Sequence, residues 1–269
     1  MFCGRRGHAV VVAVVFGACD DPSDGSLRLS LTGAGCARAT APAGGFRIAH
    51  VVVRPSVGTR DINLFAGVTG FAQAHCNQPI DLNQWSLVLD AQDGGLDWLL
   101  PPGLAIPLAS RQPLWLQSPG AVEVILEPAP EPTPTDAHVI WSGQTDFTIP
   151  PGTSGYAVKG TCTVETDLDL IAIVGDVRSH AQSIAVSRYD GTSIEEIYRI
   201  QAPARPAFVT YDPPLRVAGK GGFIYLCIYD NPGPTPIVFG PDPMRNEHCN
   251  VFAYYKGAEN QCLEQSGGW

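Results

Sequence analysis

Cysteine and histidine are the residues here that could do covalent or metal chemistry, with eight cysteines and six histidines in 269 residues. Cys3 and Cys19 fall in an N-terminal stretch that reads as an export signal. Arg5 and Arg6 precede an apolar run at 9–18, about the length of a signal h-region and too short to span a bilayer. Six cysteines then remain: Cys36, Cys76, Cys162, Cys227, Cys249 and Cys262. An even number in an oxidising compartment favours disulfides over zinc, and no C-x-x-C spacing occurs to support a zinc site. Other reactive types have plainer readings. Ser154 and Ser183 lack a nucleophile-elbow context. Asp167 and Asp169 flank Leu168 as strand-edge polars without a calcium-loop motif, and Glu195-Glu196 reads as a solvated face. Trp85, Trp98, Trp115 and Trp141 read as core.

The elements that must position these residues are strands. Hydrophobic residues make up 45% of the chain, enough for a packed core. Its 29 glycines and 24 prolines are dispersed, as suits short strands joined by turns. Charged residues are only 16%, the formal net charge is −9, and no basic patch is visible, which argues against a nucleic-acid partner. The predicted fold is all-β, with two antiparallel jelly-roll-like β-sandwich domains in tandem. Residues 1–18 are the predicted signal and 19–35 a tether. A first domain is expected over 36–126, with strands at 46–54, 85–90, 113–117 and 122–127. The Pro-rich run at 127–136 cannot supply ladder N–H groups and is predicted to be a linker. The second domain, 137–262, carries strand patterns at 146–149, 156–164, 168–174, 183–189, 194–200, 215–217, 223–229 and 251–255, ahead of a tail at 263–269. The continuously apolar run from 168 to 174, broken only by Asp169, suits a strand in the core of a sandwich. No segment after the signal is long and apolar enough to span a membrane.

Two resemblances add to this reading. Phe16-Gly17-Ala18-Cys19, followed by the polar Asp20-Asp21-Pro22-Ser23-Asp24-Gly25, resembles a bacterial lipobox, with Phe16 in place of the usual Leu, Val or Ile. It implies a lipid on Cys19 and a membrane-anchored lipoprotein of the cell envelope. Plain secretion or a periplasmic location is the alternative. In the second domain, Phe147-Thr-Ile-Pro-Pro-Gly152, Tyr156, Cys162, Val177-Arg-Ser-His180, Arg188-Tyr-Asp-Gly191, Tyr211, Leu226-Cys-Ile-Tyr-Asp-Asn231, Val238-Phe-Gly240 and Asn246-Glu-His-Cys249 follow in order. This ordered set resembles the C-terminal domain of the copper type II ascorbate-dependent monooxygenases, the group of the peptidylglycine and dopamine hydroxylases. In the first domain, Ile48-Ala-His-Val-Val-Val53 and Leu114-Trp-Leu-Gln117 resemble, more loosely, the family's N-terminal copper domain.

The resemblance implies disulfides Cys162–Cys262 and Cys227–Cys249, leaving Cys36–Cys76 for the first domain. It implies an oxygen-activating copper at His180 and His248 and an electron-transfer copper at His50, because imidazole serves both oxidation states of copper. It further implies an ascorbate-like reductant and a small-molecule or peptide substrate hydroxylated at a C–H bond. The sequence departs from the family at both sites. Arg178 stands where the first histidine of an H-x-H pair belongs, and His248 stands where the family has methionine. Ala49 replaces a second histidine beside His50, and Ser118 follows Gln117 where the third histidine belongs. His75, His138 and Met244 are the remaining candidates for a third ligand. Two functions follow from these residues: a copper monooxygenase-like enzyme, or a non-catalytic envelope module, binding or structural, on the same scaffold. The discriminator is whether the imidazole nitrogens are presented to a shared metal.

Overall fold

The structure, a computed structural model, describes residues 25–68, 84–92, 94–130, 134–202, 206–240 and 245–264. β-Branched and aromatic residues alternate with polar ones and are cut by glycine and proline, and the chain answers with strands and turns. The described residues contain no helix. The molecule is the predicted all-β sandwich.

A long sheet is the backbone of the molecule. Its strands, numbered in chain order, lie side by side as β1 (Leu27–Leu31), β9 (Val122–Pro128), β3 (Phe46–Pro55), β7 (Leu104–Leu108), β10 (Thr135–Gln144), β20 (Cys249–Gly257), β13 (Leu168–Asp176) and β16 (Val209–Val217). A short strand, β6 (Leu96–Leu99), also pairs with β3. A four-stranded sheet of β2 (Gly35–Thr40), β8 (Pro113–Ser118), β4 (Ile62–Gly67) and β5 (Trp85–Ala91) packs on one face. A five-stranded sheet of β15 (Ile194–Gln201), β14 (Ala181–Tyr189), β17 (Gly222–Asn231), β12 (Thr153–Thr163) and β21 (Leu263–Glu264) packs on the other. Three short strands, β11 (Thr148–Ile149), β18 (Ile237–Phe239) and β19 (Asn246–Glu247), form a small sheet of their own.

The two halves of the chain therefore share one sheet. β7 of the first half pairs in parallel with β10 of the second through Leu104 with Thr135 and Ala105 with Asp136. Arg47 on β3 pairs with Asp136, and Thr135 N–H donates to the Gly103 carbonyl at 2.8 Å. The central strands β10, β20 and β13 are covered on both faces. Val174, Phe252 and Tyr254 pack into the first core, while Ile173, Val251, Ala253 and Tyr255 pack into the second. Strands buried on both faces read as continuous apolar runs, which accounts for the sequence from 168 to 174. A bulge between Leu170 and Ala172 lets Ile171 and Ala172 both join the first core, where strict alternation would allow one.

Several expectations change. The predicted tether at 19–35 contains β1, which pairs with β9 and buries Leu29. Leu27-Arg-Leu-Ser-Leu31 alternates as a half-buried strand should. Strand structure also reaches into both ends of the predicted linker, since β9 runs through Pro128 and β10 begins at Thr135. β16 is longer than the predicted 215–217 because Pro213 and Pro214 lie inside it. That is tolerated because both prolines fall in the register break between Thr210 and Leu215, where β16, the last strand of the sheet, makes no ladder pairs with β13.

Cys162 is bonded to Cys262 and Cys227 to Cys249, with Cα separations of 4.8 and 5.9 Å. The first ties β12 to the segment before β21. The second ties β17 to β20 across the second core. Cys36 is also in a disulfide. Its expected partner Cys76 lies outside the described residues, as do Cys19, His75 and Met244.

Candidate functional site

The antiparallel pairing of β13 with β20 brings the end of one strand beside the start of the other, and Asp176 pairs in register with Asn250. His180 lies just past β13 and His248 just before β20, so both expected ligands arrive at the same end of the long sheet. They arrive on separate acids.

His180 belongs to the turn after β13. The buried carboxylate of Glu247 holds that turn. It accepts from the backbone N–H of Arg178 at 2.8 Å, from the backbone N–H of His180 at 2.7 Å, and lies 3.2 Å from His180 Nδ1. Burial pushes the Glu247 carboxyl upward, against the pull of these donors, and the net direction is up. Ser179 Oγ is 3.3 Å from the same Nδ1. This is not a nucleophile–base–acid relay, which needs the hydroxyl and the acid on opposite ring nitrogens.

His248 is held at both nitrogens. Nδ1 is 2.8 Å from Asp176 Oδ2, and Nε2 is 3.0 Å from the Gly240 carbonyl. A carbonyl only accepts, so Nε2 carries a proton and turns no lone pair to a metal. The ring stacks on Phe239, with centroids 4.9 Å apart. Asp176 also accepts from Asn250 Nδ2 at 2.7 Å. Burial raises the cost of charging Asp176, but the His248 ring, Arg178 and the Asn250 amide outweigh it and hold the carboxyl below the usual range. The Arg178 guanidinium donates to the same Gly240 carbonyl at 2.9 Å. At the position where the resemblance implies a copper ligand, this chain places a fixed cation.

His50 stands in the first half, on β3, and is likewise held at both nitrogens. Nδ1 is 2.9 Å from Glu127 Oε2 on β9, and Nε2 is 2.6 Å from Asp97 Oδ1 on β6. Burial works against the charged ring, yet the hydrogen bonds and charges of Asp97 and Glu127 leave the imidazole above its ordinary value. Its neighbour Ala49 is buried, and Ser118 turns its hydroxyl to the Gly120 carbonyl at 2.9 Å. His138 lies against the ring of Tyr255, with centroids 5.4 Å apart.

The described residues, as placed, do not fit the two implied copper sites. His50 and His248 direct both ring nitrogens to protein partners, and Arg178 occupies the third position at the second site. Among the described residues no group of three or more His, Cys, Asp or Glu is arranged to hold a metal ion. Of the three expected ligands, His180 alone has its polar contacts confined to one ring nitrogen.

The acids that organise this region, Asp176 and Glu247, were not singled out from sequence. A weak signal exists for each. Asp176 ends an apolar strand with a charge, and Glu247 directly precedes the expected ligand His248.

No family model matches the chain, and no curated protein matches it. Among solved structures it is similar to the VP2 subviral particle of infectious bursal disease virus, at 10% identity and a TM-score of 0.22, covering 86% of this chain and 71% of that one. It is also similar to the structure of the Gx strain of the same virus, at 11% identity and a TM-score of 0.17, covering 87% and 76%. Scores this low carry no argument about fold or function.

Proposed function

We propose that this chain is a non-catalytic binding or structural module of the cell envelope, built on a disulfide-stapled β-sandwich scaffold, and that its histidines act as polar staples between strands. One observation carries the reading. The imidazoles expected to hold copper, His50 and His248, place both nitrogens on carboxylate or carbonyl oxygens of the protein. Export rests on the signal-like N-terminus, and anchoring through a lipid on Cys19 rests on the lipobox-like residues around it.

The test is metal content together with oxygen uptake. Purified full-length protein, incubated with copper and then desalted, is expected to retain well under one copper per chain and to consume no oxygen above background with ascorbate. Stoichiometric copper with ascorbate-driven oxygen uptake, both lost in His180→Ala, would overturn the reading in favour of the monooxygenase.

A further inference from the structure

The layer between the four-stranded sheet and the long sheet encloses a fully buried acid, Asp90. We propose that Asp90 is a pH sensor built into this layer: as the neutral acid it lets the two sheets close on each other, and its ionisation loosens them.

The geometry is that of an acid with no counter-charge. Asp90 lies on β5 and is fully buried. One oxygen accepts from Gln92 Nε2 at 2.7 Å, and the other, Oδ2, has no hydrogen-bond partner. A buried carboxylate with an unmet oxygen loses its hydration without compensation. The charged groups around it do not supply that compensation. Asp61, just ahead of β4, adds a like charge, and from the long sheet Asp176 adds another. Among the described residues the cation whose field reaches it is Arg178, and Arg178 is already fixed on the Gly240 carbonyl. The phenols of Tyr254 on β20 and Tyr198 on β15 lie within its field, and burial pushes both of them up. A neighbouring acceptor of the same layer, Asn250 Oδ1, is also buried without a partner. A proton on Asp90 removes the charge that this layer cannot solvate. Burial and the Asp176 charge accordingly move the Asp90 carboxyl well above its ordinary value.

The sign follows from proton counting. Above the ordinary aspartate range the folded chain keeps a proton that the unfolded chain has lost, so stability falls as pH rises until the folded Asp90 has titrated. Asp90→Asn keeps the shape and removes the titration. Against this variant, the wild-type melting temperature is expected to match near pH 4 and to fall behind by about 5 °C at pH 8. Amide exchange in β5 and β20 of the wild type is expected to rise with pH faster than in the variant. The carboxyl-carbon resonance of Asp90 in the wild-type protein gives a readout that needs no folded variant. It is expected to leave the protonated position only above the ordinary aspartate range. A carboxyl carbon that titrates in the ordinary aspartate range would overturn the proposal. So would a gap between wild type and variant that does not change with pH.

Discussion

Replacing Cys162 and Cys262 together by alanine is expected to lower unfolding stability by about 4–5 kcal/mol, the largest effect of any change considered. The two cysteines are 100 residues apart in sequence. A cross-link over so long a loop removes much of the freedom of the unfolded chain. The bond also fastens the segment ahead of β21, which among the described residues is held as well by Asn260 Oδ1, accepting from the N–H groups of Glu165 and Thr166 at 3.1 and 3.0 Å, and by two ladder pairs of β21 with β12. The Cys227–Cys249 bond spans 22 residues, and its loss is expected to cost about 3 kcal/mol on the same reasoning. Denaturant unfolding of the two double variants measures both. Equal losses would show that loop length does not set the contribution.

The second large effect is expected at Asp176. Its carboxylate, almost fully buried, takes His248 Nδ1 and Asn250 Nδ2 on one oxygen. Asp176→Ala leaves the imidazole and the amide N–H without their acceptor in a layer closed to water. Breaking one side of a buried pair costs about 3 kcal/mol or more, a drop in melting temperature of about 6–12 °C for a chain of this size. The effect depends on pH in the opposite sense to that of Asp90. The folded-state carboxyl lies below its ordinary value, so its contribution is present above the ordinary aspartate range and is lost as pH falls through the folded value. The gap between wild type and Asp176→Ala should therefore narrow in acid. Thermal melts at about pH 7 and about pH 3 measure this, and a gap that widens in acid would contradict the assignment.

Much of the fold was legible in the residues. Alternation at 46–54 and 113–117 and the apolar run at 168–174 appear as strands close to their predicted limits. What stayed hidden depended on partners distant in sequence. Leu27–Leu31 alternates as a strand does, but it follows directly on the polar run after the signal-like stretch, and it becomes a strand because β9 offers it an open edge. The 127–136 run has the prolines of a linker, yet a ladder of only two residue pairs at its end is enough to continue one sheet through both halves. Sequence patterning announces local periodicity, and this join is not local.

The candidate site was less legible for the same reason. The types and order of His50, His180 and His248 resemble a copper enzyme, but ligand chemistry is decided by which way each ring nitrogen points. That direction is set by acids from other strands: Glu127 and Asp97 for His50, Asp176 for His248, Glu247 for His180. Of these substitutions from the family pattern, Arg178 was the informative one, because a guanidinium in place of an imidazole marks a position where a cation is already built in.

The most direct test of the account follows the ring nitrogens themselves. Nitrogen-15 spectra of the histidine side chains, recorded as diamagnetic Cu(I) is added under anaerobic conditions, report each imidazole separately. Both nitrogens of His50 and of His248 are expected to keep their resonances with one equivalent of Cu(I) present, because each is hydrogen-bonded within the protein. A large shift at His248 Nε2 together with one at His180 would contradict it, since it would place both rings on a shared copper.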